Sequence, residues 1–255
     1  MISLAQKKLI LSLSRKKKRD ELSLFVAEGE KVVSDLLRGG MVAKYIFSVP
    51  EKISIVENIC PSANIVSVDE VELSKVSSLS TRSHIIAIFQ RPADADVLAS
   101  PPADIALFLD DVQDPGNLGT IIRTADWFGV HNIICSSTCA DAYGPKTVQA
   151  TMGALCRAKI SYTSAEDYLS FAKNNWHIPI VGTLMDGNDL YSLDIPIPAI
   201  VIMGNEGHGI SQQLQKFISH RVLIPNYPAG VVTSESLNVS AATAVLLSEL
   251  RRRMS

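Results

Sequence analysis

The chain has no apolar run approaching the roughly 18 residues of a membrane span. Its basic amino terminus is not followed by the apolar segment and small-residue cleavage site of a secretory signal. These absences predict a globular cytoplasmic protein with no membrane partner. Cysteine is scarce: Cys60, Cys135, Cys139 and Cys156 are scattered through apolar surroundings, without histidines at metal-ligand spacing. No metal site is expected, and the thiols read as buried and free. Charge of one sign is nearly absent from the total, since 24 Lys and Arg against 26 Asp and Glu leave −2. That sum alone does not point to a nucleic-acid partner.

Hydrophobic residues make up 47% and charged residues 20%, enough apolar surface for a packed core. A length of 255 residues accommodates two modest domains. The charge is unevenly spread: Lys7, Lys8, Arg15, Lys16, Lys17, Lys18 and Arg19 face only Asp20 and Glu21. Such a cluster can displace counterions from a phosphate backbone. A solvated basic terminus explains the same run equally well.

Residues 1–100 show short α/β alternation, with a helix over Glu28–Arg38 and strands at Lys44–Val49, Asn64–Val68 and His84–Gln90. The Pro-, Ala- and Asp-rich stretch Arg91–Asp104 reads as a linker, placing a domain boundary near Pro101. Over 101–255 the alternation becomes regular. Strands are predicted at Ile105–Leu109, Asn132–Cys135, Ile178–Leu184, Ala199–Met203 and Arg221–Ile224. Helices are predicted after Asp114-Pro115-Gly116, over Lys146–Arg157, from the cap Ser164 through Asn174, and over Leu237–Arg252. Near-continuous apolar strands alternating with helices imply an α/β fold, its parallel sheet covered on both faces.

In such a sheet, ligands sit outside the carboxyl ends of the strands. Three segments there carry candidate chemistry. The first, Leu109–Val130, has Asn117 between Gly116 and Gly119, but satisfies no G-x-G-x-x-G pattern and has no phosphate-loop lysine, which disfavours a nicotinamide oxidoreductase. Arg123 lies off the apolar stripe of Ile121, Ile122 and Ala125, where its planar guanidinium can reach a phosphate or ribose oxygen. The alternative is a surface ion pair with Asp126 or Asp111. The second segment, Val201–Ser211, sets Gly204, Gly207 and Gly209 around Asn205, Glu206 and His208; glycines there let backbone N–H groups approach a ligand. His208 reads as an exposed loop residue and Ser211 as a helix cap. In the third, Val222–Leu250, Ser236 reads as an N-cap, and Asn238 can present both a donor and an acceptor.

Together these segments resemble the SpoU, or TrmH, family of RNA ribose methyltransferases, of the knotted SPOUT class. The matching pieces are DPGNLGTIIRTA, MGNEGHGIS, and IP followed by ESLNVSAA, with QATMGAL (Gln149–Leu155) between the first two. The amino-terminal half is similar to the family's ribosomal-protein-like substrate-binding domain through Phe25–Leu37 and Ser78–Pro92, although Arg82, Ser83 and His84 stand where members often carry Pro-Gln-Gly. The connection NYPAGVVTSES, after Pro225, is a few residues longer than usual.

The resemblance implies a Rossmann-like, mostly parallel sheet whose carboxyl-terminal helix threads a loop in a trefoil knot. It implies that S-adenosylmethionine lies against Thr183, Leu184, Met203, Gly204, Asn205, Gly207, Ile224, Pro225, Leu237 and Asn238. Arg123, with Asn117, Glu206, Ser236 and Asn238 orienting it, the ribose or the cofactor, would act on a ribose 2'-hydroxyl. Because a guanidinium stays protonated, Arg123 would hold the target phosphate and lower the hydroxyl's pKa rather than act as a base. The family builds its site at a homodimer interface. Ribosomal RNA is favoured as substrate, because compact tRNA members commonly lack the first domain. A tRNA methyltransferase and a catalytically silent RNA-binding protein are the competing expectations.

Overall fold

The computed structural model describes residues 1–80, 82–93, 96–228, 231, 234 and 236–254. Contacts divide the chain into two units: Met1–Ala93 with Asp141–Arg157, and Asp94–Ala140 with Ala158–Ser255.

In the first unit, α1 (Leu4–Ser12) starts at a reciprocal cap in which Ser3 Oγ accepts from the Gln6 N–H and Gln6 Oε1 accepts from the Ser3 N–H. Helix α2 (Lys16–Leu22) ends at left-handed Ser23 and turns into β1 (Leu24–Glu28). Then follow α3 (Glu30–Arg38), β2 (Ala43–Ser48), α4 (Pro50–Ile59), β3 (Ile65–Ser67), α5 (Glu70–Ser74) and β4 (Ile85–Gln90). The strands form one sheet in the order β1-β4-β2-β3. Strand β4 is antiparallel to both its neighbours, and β2 is parallel to β3. Helix α3 buries Val32, Val33, Leu36 and Leu37, the spacing of one helical face.

The helix expected from Glu28 begins at Glu30 because Glu28 completes β1. Its buried carboxylate accepts from the Ser77 and Ser78 hydroxyls and the Ser78 N–H. Arg19 departs from the expected basic face. It is 4% exposed, its Nε and Nη2 donating to Asp141 Oδ2 at 2.9 and 2.5 Å and its Nη1 to the Leu13 and Ser14 carbonyls. Lys8, Arg15, Lys16 and Lys17 are exposed, Lys7 is half-buried, and half-buried Lys18 pairs with Glu21.

The second unit is built on a six-stranded sheet, every pairing parallel, in the order β10-β8-β9-β5-β6-β7. Its path is β5 (Ile105–Leu109), α6 (Pro115–Trp127), β6 (Asn132–Ser136), β7 (Lys159–Thr163), α8 (Ala165–Phe171), β8 (Ile180–Asp189), β9 (Ala199–Met203), α9 (Gln212–Gln215), β10 (His220–Leu223) and α10 (Val239–Met254). Every residue of β5 and β9 is buried, as expected of central strands covered on both faces. Leu109 pairs with Cys135 and with Met203, so the loops that follow β5, β6 and β9 emerge together.

Between β6 and β7 the chain forms α7 (Pro145–Thr151), which belongs to the first unit. The expected continuous helix over Lys146–Arg157 is broken: Met152 and Gly153 are both left-handed, and a short 3-10 turn follows at Ala154–Cys156. A Cβ on Gly153 would lie 2.5 Å from the Asp35 Cβ, so close packing against α3 requires glycine there. Helix α8 has the expected cap, Ser164 Oγ accepting from the Asp167 N–H, and gives way after Phe171 to a wider turn through Trp176. Cys135 and Cys139 are buried, whereas Cys60 and Cys156 are only half-buried. Among the described residues no helix is long and apolar enough to cross a membrane.

Candidate active site

A cavity of about 700 Å³ opens in the second unit beside the carboxyl ends of β8, β9 and β10. Three separate segments line it. Thr183 and Leu184 come from β8, Met203 to Gly209 from the end of β9 and its loop, and Ile224, Ser236 and Leu237 from the stretch between β10 and α10. Of the expected cofactor residues, Thr183, Leu184, Met203, Gly204, Asn205, Gly207, Ile224 and Leu237 are in this wall; Pro225 and Asn238 are not. Glu206 and Ser236, expected to orient the reacting groups, also line it. Glu235, and residues 229, 230, 232 and 233 of the connection between Asn226 and Ser234, lie outside the described residues.

The second loop owes its shape to backbone proximity. Asn205 and Gly209 exchange two main-chain hydrogen bonds at 3.0 and 2.9 Å, closing a tight turn. A Cβ at Gly204 would sit 2.2 Å from the Gly209 carbonyl carbon, and Gly209 has φ +68°. Neither position tolerates a side chain without moving the cavity wall.

Two acidic residues to which the sequence assigned no such role fasten this loop to the end of β5. Buried Asp110 accepts from the N–H and the hydroxyl of Ser211, both at 2.8 Å, so the Ser211 side chain is engaged there and does not cap α9. The Asn205 amide donates to the Asp111 carbonyl at 2.8 Å, while Asn205 Oδ1 accepts from the Gly207 N–H at 2.7 Å. Burial raises the Asp111 pKa, but hydrogen bonds from Gln113, Thr138 and Asn205 and the nearby His208 outweigh it, so the net shift is downward. His208 is an exposed loop residue, with Nε2 3.6 Å from Asp111 Oδ2. The only signal in the sequence was a pair of acids ending an apolar strand, LFLDD.

Asn117 on α6, Glu206 in the loop after β9 and Asn238 before α10 form a hydrogen-bonded chain. Asp114 caps α6, accepting from the Asn117 N–H at 2.8 Å, with Pro115 in the first turn. Asn117 therefore projects from that turn and donates through Nδ2 to Glu206 Oε1. A carboxylate only accepts, which fixes the amide's orientation and leaves Asn117 Oδ1 to accept from Asn238 Nδ2 at 3.0 Å. Asn238 Oδ1 in turn accepts from the Ser240 N–H at 3.0 Å and the Ala241 N–H at 3.4 Å. Asn238, rather than Ser236, thus caps α10.

Arg123 stands apart from the cavity wall, exposed on α6 opposite buried Ile121, Ile122 and Ala125. It makes no ion pair with Asp111 or Asp126, and among the described residues its guanidinium has no partner. Trp127, one turn further along α6, is 85% exposed.

A parallel sheet whose carboxyl-end loops border a cavity of this size, lined by both apolar and polar side chains, is the arrangement of an α/β enzyme that holds a mid-sized organic cofactor. The chain belongs to the SpoU rRNA Methylase family, which it matches over residues 104–248. Residues 6–87 match the MRM3-like substrate binding domain. It is 30% identical over 241 residues to the Bacillus subtilis 23S rRNA (guanosine(2553)-2'-O)-methyltransferase RlmP, covering 94% of this chain and 93% of that one. Among solved structures, a TrmH-family protein from Porphyromonas gingivalis is 36% identical, with 99% of each chain covered and a TM-score of 0.87. An AdoMet-bound rRNA methyltransferase from Sinorhizobium meliloti is 30% identical, with 100% of this chain and 98% of that one covered, again at TM-score 0.87. Membership makes the chain a methyltransferase that uses S-adenosylmethionine. The lining fits that cofactor: Leu184, Met203, Ile224 and Leu237 offer apolar faces to an adenosyl group, and Glu206 carries negative charge at the rim.

Proposed function

We propose that this protein methylates a ribose 2'-hydroxyl of 23S ribosomal RNA, working as a homodimer in the cytoplasm. The observation that carries the reading is the Glu206–Asn117–Asn238 chain, which ties α6 and the start of α10 to the cavity loop that carries Glu206. S-adenosylmethionine, when bound, supplies a methyl group on a positively charged sulfur. The protein's own contribution is positioning and charge. Loops 203–209 and 236–238 hold the cofactor against apolar walls and exclude water. Asn117 and Asn238, themselves oriented by Glu206, keep the ribose edge of the cavity fixed. Arg123 stays protonated, grips the phosphate next to the target ribose, and lowers the pKa of the attacking hydroxyl.

Arg123 lies outside the cavity wall of its own chain, on a helix face that also exposes Trp127. Both facts favour a dimer in which α6 of one protomer serves the cavity of the other. Residues 1–100 act as the RNA-binding domain, with Lys7, Lys8, Arg15, Lys16, Lys17 and Lys18 as phosphate contacts, and residues 101–255 as the methyltransferase domain. The carboxyl-terminal helix α10 belongs to a trefoil knot. Ribosomal RNA is favoured over tRNA because two tRNA-enzyme structures align with only 62% and 59% of the chain, at TM-scores of 0.51 and 0.52.

The test is Arg123→Ala, assayed by methyl transfer to 23S RNA and by calorimetric titration with cofactor. Turnover should fall by roughly 10²–10³, the effect of losing one positioned charge donor, while cofactor affinity stays within two-fold or so of the parent. Near-normal turnover removes Arg123 from the reaction.

A further inference from the structure

A second cavity, of about 310 Å³, lies at the opposite, amino-terminal end of the same sheet. Its floor follows from strand register. Ala106, Asn132 and Lys159 are consecutive partners across β5, β6 and β7, and two residues on, on the same face, Ser161 lies beside Ile134. Small side chains at Ala106 and Ser161 leave the gap, and Pro101 and Pro102 close it from the segment before β5.

Two hydroxyls open into this space. Tyr168, on α8, is 2% exposed and its ring is pinned, stacked on Phe108 at 5.7 Å and edge-on to Trp176 at 5.9 Å. Ser161 is 5% exposed. Neither hydroxyl has a hydrogen-bond partner among the described residues, yet neither is sealed off: Ser34 Oγ is the one such closed-off, unpartnered atom there. Burial pushes the Tyr168 phenol up to about 12, so it remains a neutral donor. Both hydroxyls are therefore open to hydrogen bonding with a molecule held in the cavity. At the mouth, Lys159 is exposed with no partner among the described residues, while the nearby Asp96 carboxylate already accepts from the Leu98 N–H at 2.9 Å.

Flat apolar walls of proline and isoleucine, a polar edge of two hydroxyls and the Asn132 amide, and one ammonium outside together match a base with a single phosphate. We propose that this cavity binds one nucleoside 5'-monophosphate unit, its base edge on Tyr168 and Ser161 and its phosphate on Lys159. The unit is either free nucleotide or an unstacked residue of an RNA strand. The site lies away from the methyl-donor cavity and does not depend on the methyl-transfer reading.

The test titrates the full chain with AMP, GMP, CMP and UMP, for the parent, Tyr168→Phe and Lys159→Ala, with cofactor affinity in each as the check on folding. At least one mononucleotide should saturate, and each substitution should weaken it about five-fold, the effect of one hydrogen bond. A second arm measures kinetics on RNA. A raised KM with unchanged kcat in both variants identifies an RNA nucleotide as the occupant; unmoved RNA kinetics with weakened mononucleotide binding identify the free nucleotide. The proposal is overturned if mononucleotides bind the variants as well as the parent, or if no mononucleotide binds and the RNA KM is unmoved. Absence of cofactor binding by the parent would strike the methyl-transfer reading and leave the mononucleotide arm intact.

Discussion

Asn238→Asp separates two jobs that one side chain performs. Its Oδ1 caps α10, and its Nδ2 donates to Asn117. Aspartate is as good a cap as asparagine, so helix stability should change by less than about 0.5 kcal/mol. The donor, however, is replaced by a carboxylate oxygen facing Asn117 Oδ1. Asn117 cannot turn its amide to compensate without withdrawing its Nδ2–H from Glu206. The two carboxylates then compete for a single amide. These groups are partly solvated, so the lost bond is worth about 1 kcal/mol in stability, and most of the effect should fall on how the first and third segments are aligned. A drop in kcat of at least about ten-fold, equivalent to 1.4 kcal/mol, is expected. Asn238→Ala should lose the cap as well, costing about 1 kcal/mol more in urea denaturation. Full turnover in Asn238→Asp would show that the amide link between the segments is dispensable and refute the reasoning.

Gly204→Ala should abolish cofactor binding by calorimetry, because its Cβ would meet the Gly209 carbonyl carbon at 2.2 Å and neither backbone can yield cheaply. Arg19→Leu leaves Asp141 without its partner in a buried setting and should destabilise the protein by about 3–5 kcal/mol. Exposed Lys8→Ala and Lys17→Ala should barely move stability, while each lowers the salt slope of RNA binding by roughly 0.7–0.9. Glu249 takes hydrogen bonds from Arg252 and Arg253, which hold its carboxyl down at about 2 from an ordinary 4.5. A depressed folded-state pKa means the stabilisation is complete above about pH 4.5 and fades as pH falls toward 2. Glu249→Gln should therefore flatten the acid limb of the stability curve over that range.

Much of the catalytic sheet was legible because its strands are short, uniformly apolar and punctuated. IALFL and AIVIM are five buried residues each, and Asp114-Pro115 marks a helix start by its chemistry. Strand β7 was missed because it is an edge strand, with only Ile160 and Ser161 of KISYT buried. Strand β1 was not predicted, and its last residue, Glu28, was assigned to the following helix, since LFVAE runs into that helix with only Gly29 between. The candidate site was legible where a motif supplies the side chain itself, as with Asn117, Glu206 and Asn238. It was not legible where a role depends on a partner far along the chain. Asp110 meets Ser211 across 101 residues and Arg19 meets Asp141 across 122, and no periodicity encodes either meeting. Arg19 sits in an unbroken basic run and only burial distinguishes it from its neighbours.

Hydrogen exchange of the backbone amides, with and without S-adenosylmethionine, tests most directly whether the three loops hold the methyl donor. Protection is expected together at residues 183–184, 203–209 and 236–239, and not at the amino-terminal end of the sheet. Protection confined to one of those segments, or arising elsewhere in the chain, would contradict a shared cofactor cavity.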